Sequence, residues 1–277
     1  MPEIAEVETV RQVLRKRILK RKIKNVNVFY ERMIESDLDE FKKFFVGKSF
    51  SEIERRGKWL LFDIDDYYLC SHLRMEGKYF IKPSAEPKEK HEHVIFQFED
   101  GEDLRYHDTR KFGRMCLVKK KDIGSYEAVE KQGIEPIDNP FDGRKLTKEY
   151  LLDKFKKSEK PLKELLLDQT IISGLGNIYA DEVAFAAKIN PLKKGKDLTA
   201  KDCERIIDSS KEIILKAIEE KGTTIKSYTS SLGVYGNYQK YLKVHKREGE
   251  ACLECGSIIK RIKVGGRSTY YCEVCQK

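Results

Sequence analysis

The spacing of apolar residues predicts a helix at the start of the chain. They recur at intervals of three or four, at Ile4, Val7, Val10, Leu14 and Ile18. This spacing places them on one face of an amphipathic helix. Pro2 suits the first position of that helix, because its missing N–H needs no partner there. The carboxylates of Glu3 and Glu6 suit the positive end of the helix dipole, so these residues fit an ordinary helix start.

Short β-like runs follow this helix. They are rich in Val, Ile, Phe and Tyr and partly alternate with polar residues. The runs are KIKNVNVFY, KWLLFDI, YLCSHL, KYFIKP, HEHVIFQF, DLRYH and FGRMCLVKK. Asp100-Gly101 lies between two of them and is a strong hairpin signal. The first half, to about residue 136, is therefore predicted to be a β-sandwich or flattened barrel with a helix at its start.

The pattern becomes helical after a linker. The linker contains Pro136, Asn139, Pro140, Asp142 and Gly143. The helical runs that follow are KEYLLDKFKK, PLKELLLDQ and NIYADEVAFAAK. A last long helix is predicted from Thr199, a favourable cap, to Gly222. The next stretch, TTIKSYTSSLGVYGNYQ, has no clear periodicity and is predicted to be a mobile loop.

The length and charge of the chain indicate its number of domains and the kind of partner that it binds. With 277 residues, two domains are the default expectation. Lys and Arg outnumber Asp and Glu by 55 to 46, which gives a net charge of +9. This balance favours a polyanionic partner. No run has the length of a membrane span and the N-terminus lacks a signal-peptide core, so we expect a cytoplasmic protein without a membrane partner.

Four of the seven cysteines lie in the last 26 residues. They form two pairs of CxxC spacing, Cys252 with Cys255 and Cys272 with Cys275. Two such pairs fit one tetrahedral four-thiolate zinc site, which has no open position and is therefore structural. A redox CxxC motif is the alternative, although it needs no second pair. The scattered cysteines are predicted to be small buried hydrophobes; they are Cys70, Cys116 and Cys203.

The segment between the two cysteine pairs predicts a β-hairpin. IIKRIKV and STYY are β-like, and Gly265-Gly266-Arg267 forms the turn between them. Arg267 at the tip, with Lys260, Arg261 and Lys263 nearby, suits phosphate contacts. A solvated basic face is the alternative.

A glycine-rich turn joins two helical runs in QTIISGLGNIYADE. The N-terminus of the following helix offers free N–H groups to an anion. Asn177 stands there as a cap or a phosphate contact. Lys160 and Lys163 lie just upstream in sequence and are predicted to contact the same phosphate backbone of DNA. A purely structural turn is the alternative.

Six blocks taken together resemble the bacterial formamidopyrimidine-DNA glycosylases, within the wider group that includes the endonuclease VIII-like enzymes. The blocks are PEIAEVETV, RRGKWL, HLRMEGKY, RYHDTRKFGR, QTIISGLGNIYADE and GGRSTYYCEVCQK. The resemblance implies an α+β fold with an N-terminal catalytic β-sandwich domain and its leading helix over residues 1–136. A C-terminal DNA-binding domain over 147–277 follows, with a helix–two-turns–helix part (147–222) and a zinc hairpin (243–277).

The resemblance also implies roles at the start of the chain. Family members lose the start methionine, and the freed amine of Pro2 would attack C1′ of the damaged nucleotide and form a Schiff base. Glu3 matches the general acid/base, whereas Glu6 is expected to shape the site. Lys58 matches the lysine that assists at the damaged nucleotide; a surface lysine is the alternative. Arg267 matches an arginine of phosphate binding and δ-elimination.

Other matching positions concern the DNA. Met75, Arg110 and Phe112 match side chains inserted where a base is flipped out of the duplex. For Met75 and Phe112 the alternative is core packing. His91 matches a DNA-contacting histidine, whereas His72 and His93 are expected to be structural.

This sequence departs from the family pattern in three places. Ala5 stands where a second proline is usual, and His245 and Lys246 stand where Tyr and Gly are common. The loop after Gly222 matches a lesion-capping loop in position but diverges in sequence, which makes the substrate range the least secure implication.

The resemblance implies a monomeric bifunctional DNA glycosylase and AP lyase with one structural zinc. Its substrates would be oxidised purines, such as 8-oxoguanine and formamidopyrimidines, in duplex DNA. One alternative is an oxidised-pyrimidine enzyme of the same superfamily. The other is a non-catalytic DNA-binding protein of the same fold.

Overall fold

The computed structural model describes residues 1–223 and 236–277. These residues form two compact units. The first is Met1–Glu130 with the described ends of the stretch Lys221–Gly236, and the second is Lys131–Glu220 with Asn237–Lys277. The return of the chain to the first unit after the last long helix had no sequence signal. Most of the predicted mobile loop lies outside the described residues.

Two four-stranded antiparallel sheets dominate the first unit, in the orders β1-β6-β7-β5 and β2-β3-β4-β8. The strands are β1 Ile23–Val28, β2 Glu52–Arg56, β3 Trp59–Ile64, β4 Tyr67–His72, β5 Lys78–Pro83, β6 Glu92–Phe98, β7 Glu102–His107 and β8 Arg114–Lys119. The helices are α1 Ile4–Ile18, α2 Leu38–Phe44 and α3 Glu127–Glu130. Each of the seven predicted runs overlaps one strand, and the predicted hairpin turn at Asp100-Gly101 joins β6 to β7.

Aromatic side chains fill the space between the two sheets. The Phe50 ring lies 5.2 Å from that of Phe62 on β3 and 5.9 Å from that of Phe96 on β6. Because β3 and β6 belong to different sheets, these contacts tie the sheets into a sandwich. Burial of several phenylalanines is a large hydrophobic contribution, at about 1.5–3 kcal/mol for each side chain. The apolar face of α1 joins the same core.

The start of α1 differs from the prediction in one detail. Glu3 is the N-cap residue, and its N–H donates to Glu6 Oε2 at 2.8 Å. Pro2 therefore precedes the cap and is not the first helical residue. The carboxylate of Glu6 does what a third-position acid does in a capping box, which is to satisfy the cap's own N–H.

The second unit contains four helices and a hairpin among its described residues. The helices are α4 Lys148–Phe155, α5 Leu162–Leu167, α6 Asn177–Ala186 and α7 Ala200–Glu219. Thr147 and Thr199 cap α4 and α7 as their hydroxyls accept from backbone N–H groups. The hairpin is β9 Lys260–Val264 with β10 Arg267–Tyr271. Its two-residue turn, Gly265-Gly266, has φ of +53° and +76°, the left-handed region that such a turn requires. Within the described residues, no helix has both the length and the apolar character needed to cross a membrane.

Candidate active site and nucleic-acid interface

Charged groups surround the amino terminus of the first unit. Pro2 is buried, and Glu3, Glu6 and Lys58 are only 2%, 5% and 5% exposed. With Met1 in place, burial lowers the pKa of the terminal amine; Glu3 and Glu6 oppose this shift and Lys58 adds to it. The fold thus brings Pro2, Glu3 and Lys58 together, and the burial of Lys58 contradicts the alternative of a surface lysine.

Glu6 links the start of α1 to Thr223, which lies where the chain returns to the first unit after α7. Besides the N–H of Glu3, its carboxylate accepts from the N–H of Thr223 at 2.8 Å and from the Thr223 hydroxyl at 3.1 Å. These three donors are two backbone N–H groups and one hydroxyl group. This arrangement agrees with the expectation that Glu6 shapes the site.

Lys58 lies in the tight turn between β2 and β3, where Arg56 pairs with Trp59. On the next strand His72 faces Trp59, with their ring centroids 4.8 Å apart. Burial lowers the pKa of His72 to about 3, helped by the charges of Arg74 and Lys58. The ring is therefore neutral, and its Nδ1 accepts from the Arg74 N–H at 2.9 Å.

We expect acid to destabilise the first unit through His72. Its pKa is about 3 in the folded protein against an ordinary 6.5, so only the unfolded chain takes up a proton just below pH 6.5. The stabilisation is present above pH 6.5 and is lost as the pH falls toward about 3, which amounts to about 2 kcal/mol at pH 5. His72→Asn keeps an acceptor for Arg74 without the titration. Denaturant unfolding should show that the free energy of unfolding falls less between pH 7 and pH 5 in this variant than in the unaltered protein. Equal falls would refute the role of His72 in the acid sensitivity.

Two loops present the candidate inserted side chains. The Met75 loop (residues 73–77) joins β4 to β5, and the Phe112 loop (residues 108–113) joins β7 to β8. Met75 is half-buried, whereas Arg110 is exposed and Phe112 is 48% exposed. The Arg110 guanidinium lies 4.9 Å from the centre of the Phe112 ring. Such exposure contradicts core packing for Phe112 and suits a side chain that enters DNA.

Asp108 holds the Phe112 loop in shape. This fully buried carboxylate accepts from the N–H groups of Arg110 at 3.0 Å, Phe112 at 2.9 Å and Gly113 at 2.9 Å. Sequence reasoning missed Asp108. A signal for it existed, since Asp readily bonds backbone groups two residues on.

His91 and His93 lie beside the start of the Phe112 loop, where the Asp108 N–H donates to the His91 carbonyl oxygen at 3.0 Å. The His93 Nε2 is 2.9 Å from the Asp108 carbonyl oxygen, and burial lowers the pKa of His93, which fits a structural role. The His91 ring is half-buried and lies 5.6 Å from that of His107. A DNA contact by His91 remains a prediction.

In the second unit, Asn177 lies next to the hairpin strand that carries Arg267. Asn177 is the first residue of α6, and its Nδ2 donates to the Ser268 carbonyl oxygen at 3.0 Å. Its Oδ1 is buried and has no hydrogen-bond partner among the described residues. Arg267 is exposed at the hairpin tip. An amide and a guanidinium at a helix N-terminus suit a phosphate.

Lys163 does not lie where the sequence prediction put it. Its side chain is fully buried, its Nζ is 2.6 Å from Asp181 Oδ1, and it donates to the Asn177 carbonyl oxygen at 2.9 Å. The prediction of a direct DNA contact by Lys163 is wrong, because a fully buried ammonium cannot reach a phosphate. Lys163 instead supports Asn177 from within. Lys160 is exposed, with Asp168 at 3.7 Å, and its DNA contact remains a prediction.

Two carboxylates of α6, Asp181 and Glu182, contact the segment of residues 243–245, which precedes the zinc hairpin strands. Asp181 lies 2.6 Å from His245 Nδ1, and Glu182 accepts from the N–H groups of Lys243, Val244 and His245 at 2.8–3.0 Å. Burial raises the pKa of Glu182 although these donors oppose the shift. His245, which departs from the family pattern, is thus a member of this buried network. Sequence reasoning could not find these pairs because their members are 18 to 64 residues apart.

Lys163→Met should destabilise the second unit by about 3 kcal/mol, because it removes the ammonium group that pairs with the fully buried Asp181 carboxylate at 2.6 Å. Lys160→Met is the matched control, since Lys160 is 59% exposed and such surface changes stay within about 0.5 kcal/mol. Denaturant unfolding of both variants measures the difference. Equal unfolding midpoints of the two variants would show that the buried ion pair does not contribute to the stability of the second unit.

The four C-terminal cysteines meet in space. Their Sγ atoms lie within 4.8 Å of one another, with Cys252 and Cys275 at 3.9 Å and Cys255 and Cys272 at 3.5 Å. A tetrahedral zinc with Zn–S of about 2.3 Å needs sulfurs about 3.8 Å apart. A hydrogen bond from Ser257 lowers the pKa of the Cys255 thiol to about 6, which favours the thiolate that binds metal. The residues fit one structural zinc ion.

Comparisons with known proteins agree with this architecture. Three family models match: the formamidopyrimidine-DNA glycosylase N-terminal domain at residues 1–115, its H2TH domain at 133–229, and the zinc finger found in FPG and IleRS at 249–277. The formamidopyrimidine-DNA glycosylase of Streptococcus pneumoniae is 42% identical over 277 residues, 100% of this chain and 99% of the relative. That of Exiguobacterium sibiricum is 44% identical over 278 residues, with the same coverage.

Solved structures match over the same length. A Lactococcus lactis FPG variant in complex with Fapy-dG DNA is 42% identical, with a TM-score of 0.92 and 100% of both chains covered. A complex of Lactococcus lactis Fpg with DNA that contains an abasic site has the same identity and TM-score, with 99% of both chains covered. The predicted α+β fold, with its β-sandwich, helical domain and zinc hairpin, is confirmed.

Proposed function

Because this chain belongs to the formamidopyrimidine-DNA glycosylase family, we propose that it removes oxidised purines from duplex DNA and then cleaves the strand. The observation that carries the proposal is the burial of Glu3 and Lys58 around the amino terminus at Pro2. Acidic and basic groups at one buried amine suit covalent catalysis with proton transfer.

The chemistry begins when Met1 is removed and Pro2 gains a free secondary amine. The neutral amine attacks C1′ of the damaged nucleotide, and the base leaves with its bonding electrons and takes up a proton. The C1′–O4′ bond then breaks, O4′ receives a proton as the sugar ring opens, and the Pro2 nitrogen and C1′ form an iminium ion. An ordinary α-amino group has a pKa of about 7.7–8.0, so a useful neutral fraction exists near neutral pH. The iminium then acidifies the 2′ hydrogen, whose loss expels the 3′ phosphate, and a second elimination expels the 5′ phosphate.

The remaining residues have distinct parts in this proposal. Glu3 moves a proton at the sugar, and Lys58 assists at the damaged nucleotide and in β-elimination. Arg267 holds a phosphate with Asn177 and supports δ-elimination. Zinc takes no part in the chemistry and holds the hairpin that carries Arg267.

Access to the lesion requires base flipping, and the gap must be filled. The exposed Phe112 and Arg110 provide an aromatic wedge and a cation for the orphaned base, and Met75 provides a flexible apolar side chain. His91 and Lys160 add contacts to the backbone. We further propose that the protein acts as a cytoplasmic monomer at the bacterial nucleoid; the relatives compared above are bacterial.

A pairwise excision assay tests the substrate class. We expect single-turnover release of 8-oxoguanine opposite cytosine to exceed release of thymine glycol from an otherwise identical duplex. One Lactococcus lactis FPG complex, 42% identical with a TM-score of 0.91, contains an oxidised pyrimidine, so the second substrate is a real competitor. Faster release of thymine glycol would favour the oxidised-pyrimidine enzyme, and tight binding without release of either base would favour the non-catalytic protein.

A further inference from the structure

A single buried tyrosine supports both loops that carry the inserted side chains. Tyr106 lies on β7 and is fully buried. A Cβ at Gly77, the end of the Met75 loop, would lie 2.1 Å from the Tyr106 hydroxyl oxygen. A Cβ at Gly113, the end of the Phe112 loop, would lie 1.9 Å from the same atom. Both loops therefore close their backbones onto one oxygen, which only glycine permits.

Each loop is also closed within itself and bonded to the other. The Gly77 N–H donates to the Leu73 carbonyl oxygen at 2.9 Å, which completes the Met75 loop. Asp108 organises the Phe112 loop as described above. Between the loops, the Thr109 hydroxyl donates to the Glu76 carboxylate. The two loops thus form one connected surface above Tyr106.

The position of Tyr106 is itself fixed by the sheet. Tyr79 is its direct partner across β5 and β7, with ring centroids 5.1 Å apart and an edge-on arrangement. The Tyr79 hydroxyl lies 2.7 Å from the Ser71 hydroxyl on β4. On the other side of β7, Val94 of β6 is also a direct partner of Tyr106. Because Tyr79 and Val94 flank Tyr106 in the sheet, its hydroxyl is a fixed point for the loops.

We propose that Tyr106 is a positioning residue that holds the Met75 loop and the Phe112 loop as one preassembled wedge. The proposal rests on the proposed function, since it takes base extrusion as the purpose of the wedge. Met75, Arg110 and Phe112 must enter the duplex together. A wedge that is ordered before contact avoids the entropy loss of ordering two separate loops during insertion.

Tyr106→Phe tests the proposal, because it removes only the oxygen that both glycines contact. The probe is a duplex in which a tetrahydrofuran abasic analogue faces 2-aminopurine, whose fluorescence on rapid mixing reports displacement and needs no chemical step. We expect this variant to slow the fluorescence change by about 10- to 100-fold. Tyr79→Phe is the equally buried matched control. It keeps the ring that packs edge-on against Tyr106 and loses a hydroxyl that bonds Ser71 and neither loop, so it should leave the rate unchanged.

A second readout separates positioning from general damage. Borohydride trapping on a single-stranded abasic oligonucleotide needs no opening of a duplex, so Tyr106→Phe should leave the trapped yield unchanged. An unchanged fluorescence rate in Tyr106→Phe would overturn the proposal. A parallel loss of both readouts with a lowered Tm would overturn it too, because it would indicate a merely structural tyrosine.

Gly113→Ala gives an independent check, since its new methyl group meets the same oxygen. In the double variant with Tyr106→Phe, the rate of the fluorescence change should fall by less than the product of the two single-variant factors, because both changes act on one contact. A fall equal to that product would contradict the proposal. If the unaltered protein traps no abasic DNA while the fluorescence difference persists, the proposed function fails and the positioning role stands. No fluorescence change in the unaltered protein would refute the wedge.

Discussion

A protein that keeps residues in front of Pro2 should form no covalent adduct with damaged DNA. An extension of two serines ahead of Pro2 leaves its nitrogen in a peptide bond, which has no nucleophilic lone pair. We expect borohydride-trapped product to fall by roughly 10⁴-fold or more, the order of loss on removing a covalent nucleophile. Met1 is 43% exposed, so an extension in front of it displaces no fully buried side chain.

The control uses the same polypeptide with the extension removed by a site-specific protease. Cleavage that exposes Pro2 should restore trapping in full, while affinity for a tetrahydrofuran duplex is measured before and after. Undiminished trapping by the extended protein would rule out Pro2 as the nucleophile. Loss of both trapping and affinity would point to a blocked binding surface, and the nucleophile would then have to be identified by mapping the adduct.

Loss of the zinc should abolish specific DNA binding while the first unit stays folded. Cys272→Ser removes one of the four thiolates, and structural zinc contributes about 10–16 kcal/mol to the folding of small modules. Without the ion, the hairpin no longer holds Arg267 beside Asn177. We expect the Kd for a tetrahydrofuran duplex to rise into the non-specific range of roughly 10⁻⁴–10⁻⁶ M.

The sole tryptophan provides the internal control for this experiment. Trp59 lies in the first unit and is 5% exposed, so its emission reports on that unit alone. It should be unchanged in Cys272→Ser and after chelation. Cys203→Ser is the matched substitution, because Cys203 is a buried cysteine of α7 outside the cluster. Intact DNA affinity after verified metal loss would defeat the structural role of zinc.

The sequence predicted most strands and helices because their apolar spacing survives in the fold. It missed β2, whose residues EIERR are mostly charged and show no alternation. The reason is that Arg55 of β2 is buried in an ion pair with Glu8 of α1, at 3.0 Å. A charge that is buried by pairing leaves no hydrophobic signature.

The site was predictable where a motif identifies the residue and unpredictable where long-range packing sets its environment. The cysteine spacing alone located the metal ligands. For Lys163 the same kind of reasoning failed, since only the fold shows that its ammonium group is paired with the Asp181 carboxylate. The sequence left Phe112 open between a core residue and a side chain inserted into DNA, and its exposure in the fold excludes the core. Tyr106 had no signal, because the two glycines that meet its hydroxyl are brought together only by the pairing of the strands.

Mapping the covalent adduct identifies the nitrogen that attacks the sugar. Protein with a free Pro2 amine is mixed with an 8-oxoguanine duplex, reduced with borohydride and digested with nuclease and trypsin. If Pro2 is the nucleophile, the sugar remnant lies on the peptide that begins at Pro2 and ends at Arg11, at the Pro2 nitrogen. A remnant on Lys58, the other buried amine beside the amino terminus, would contradict it.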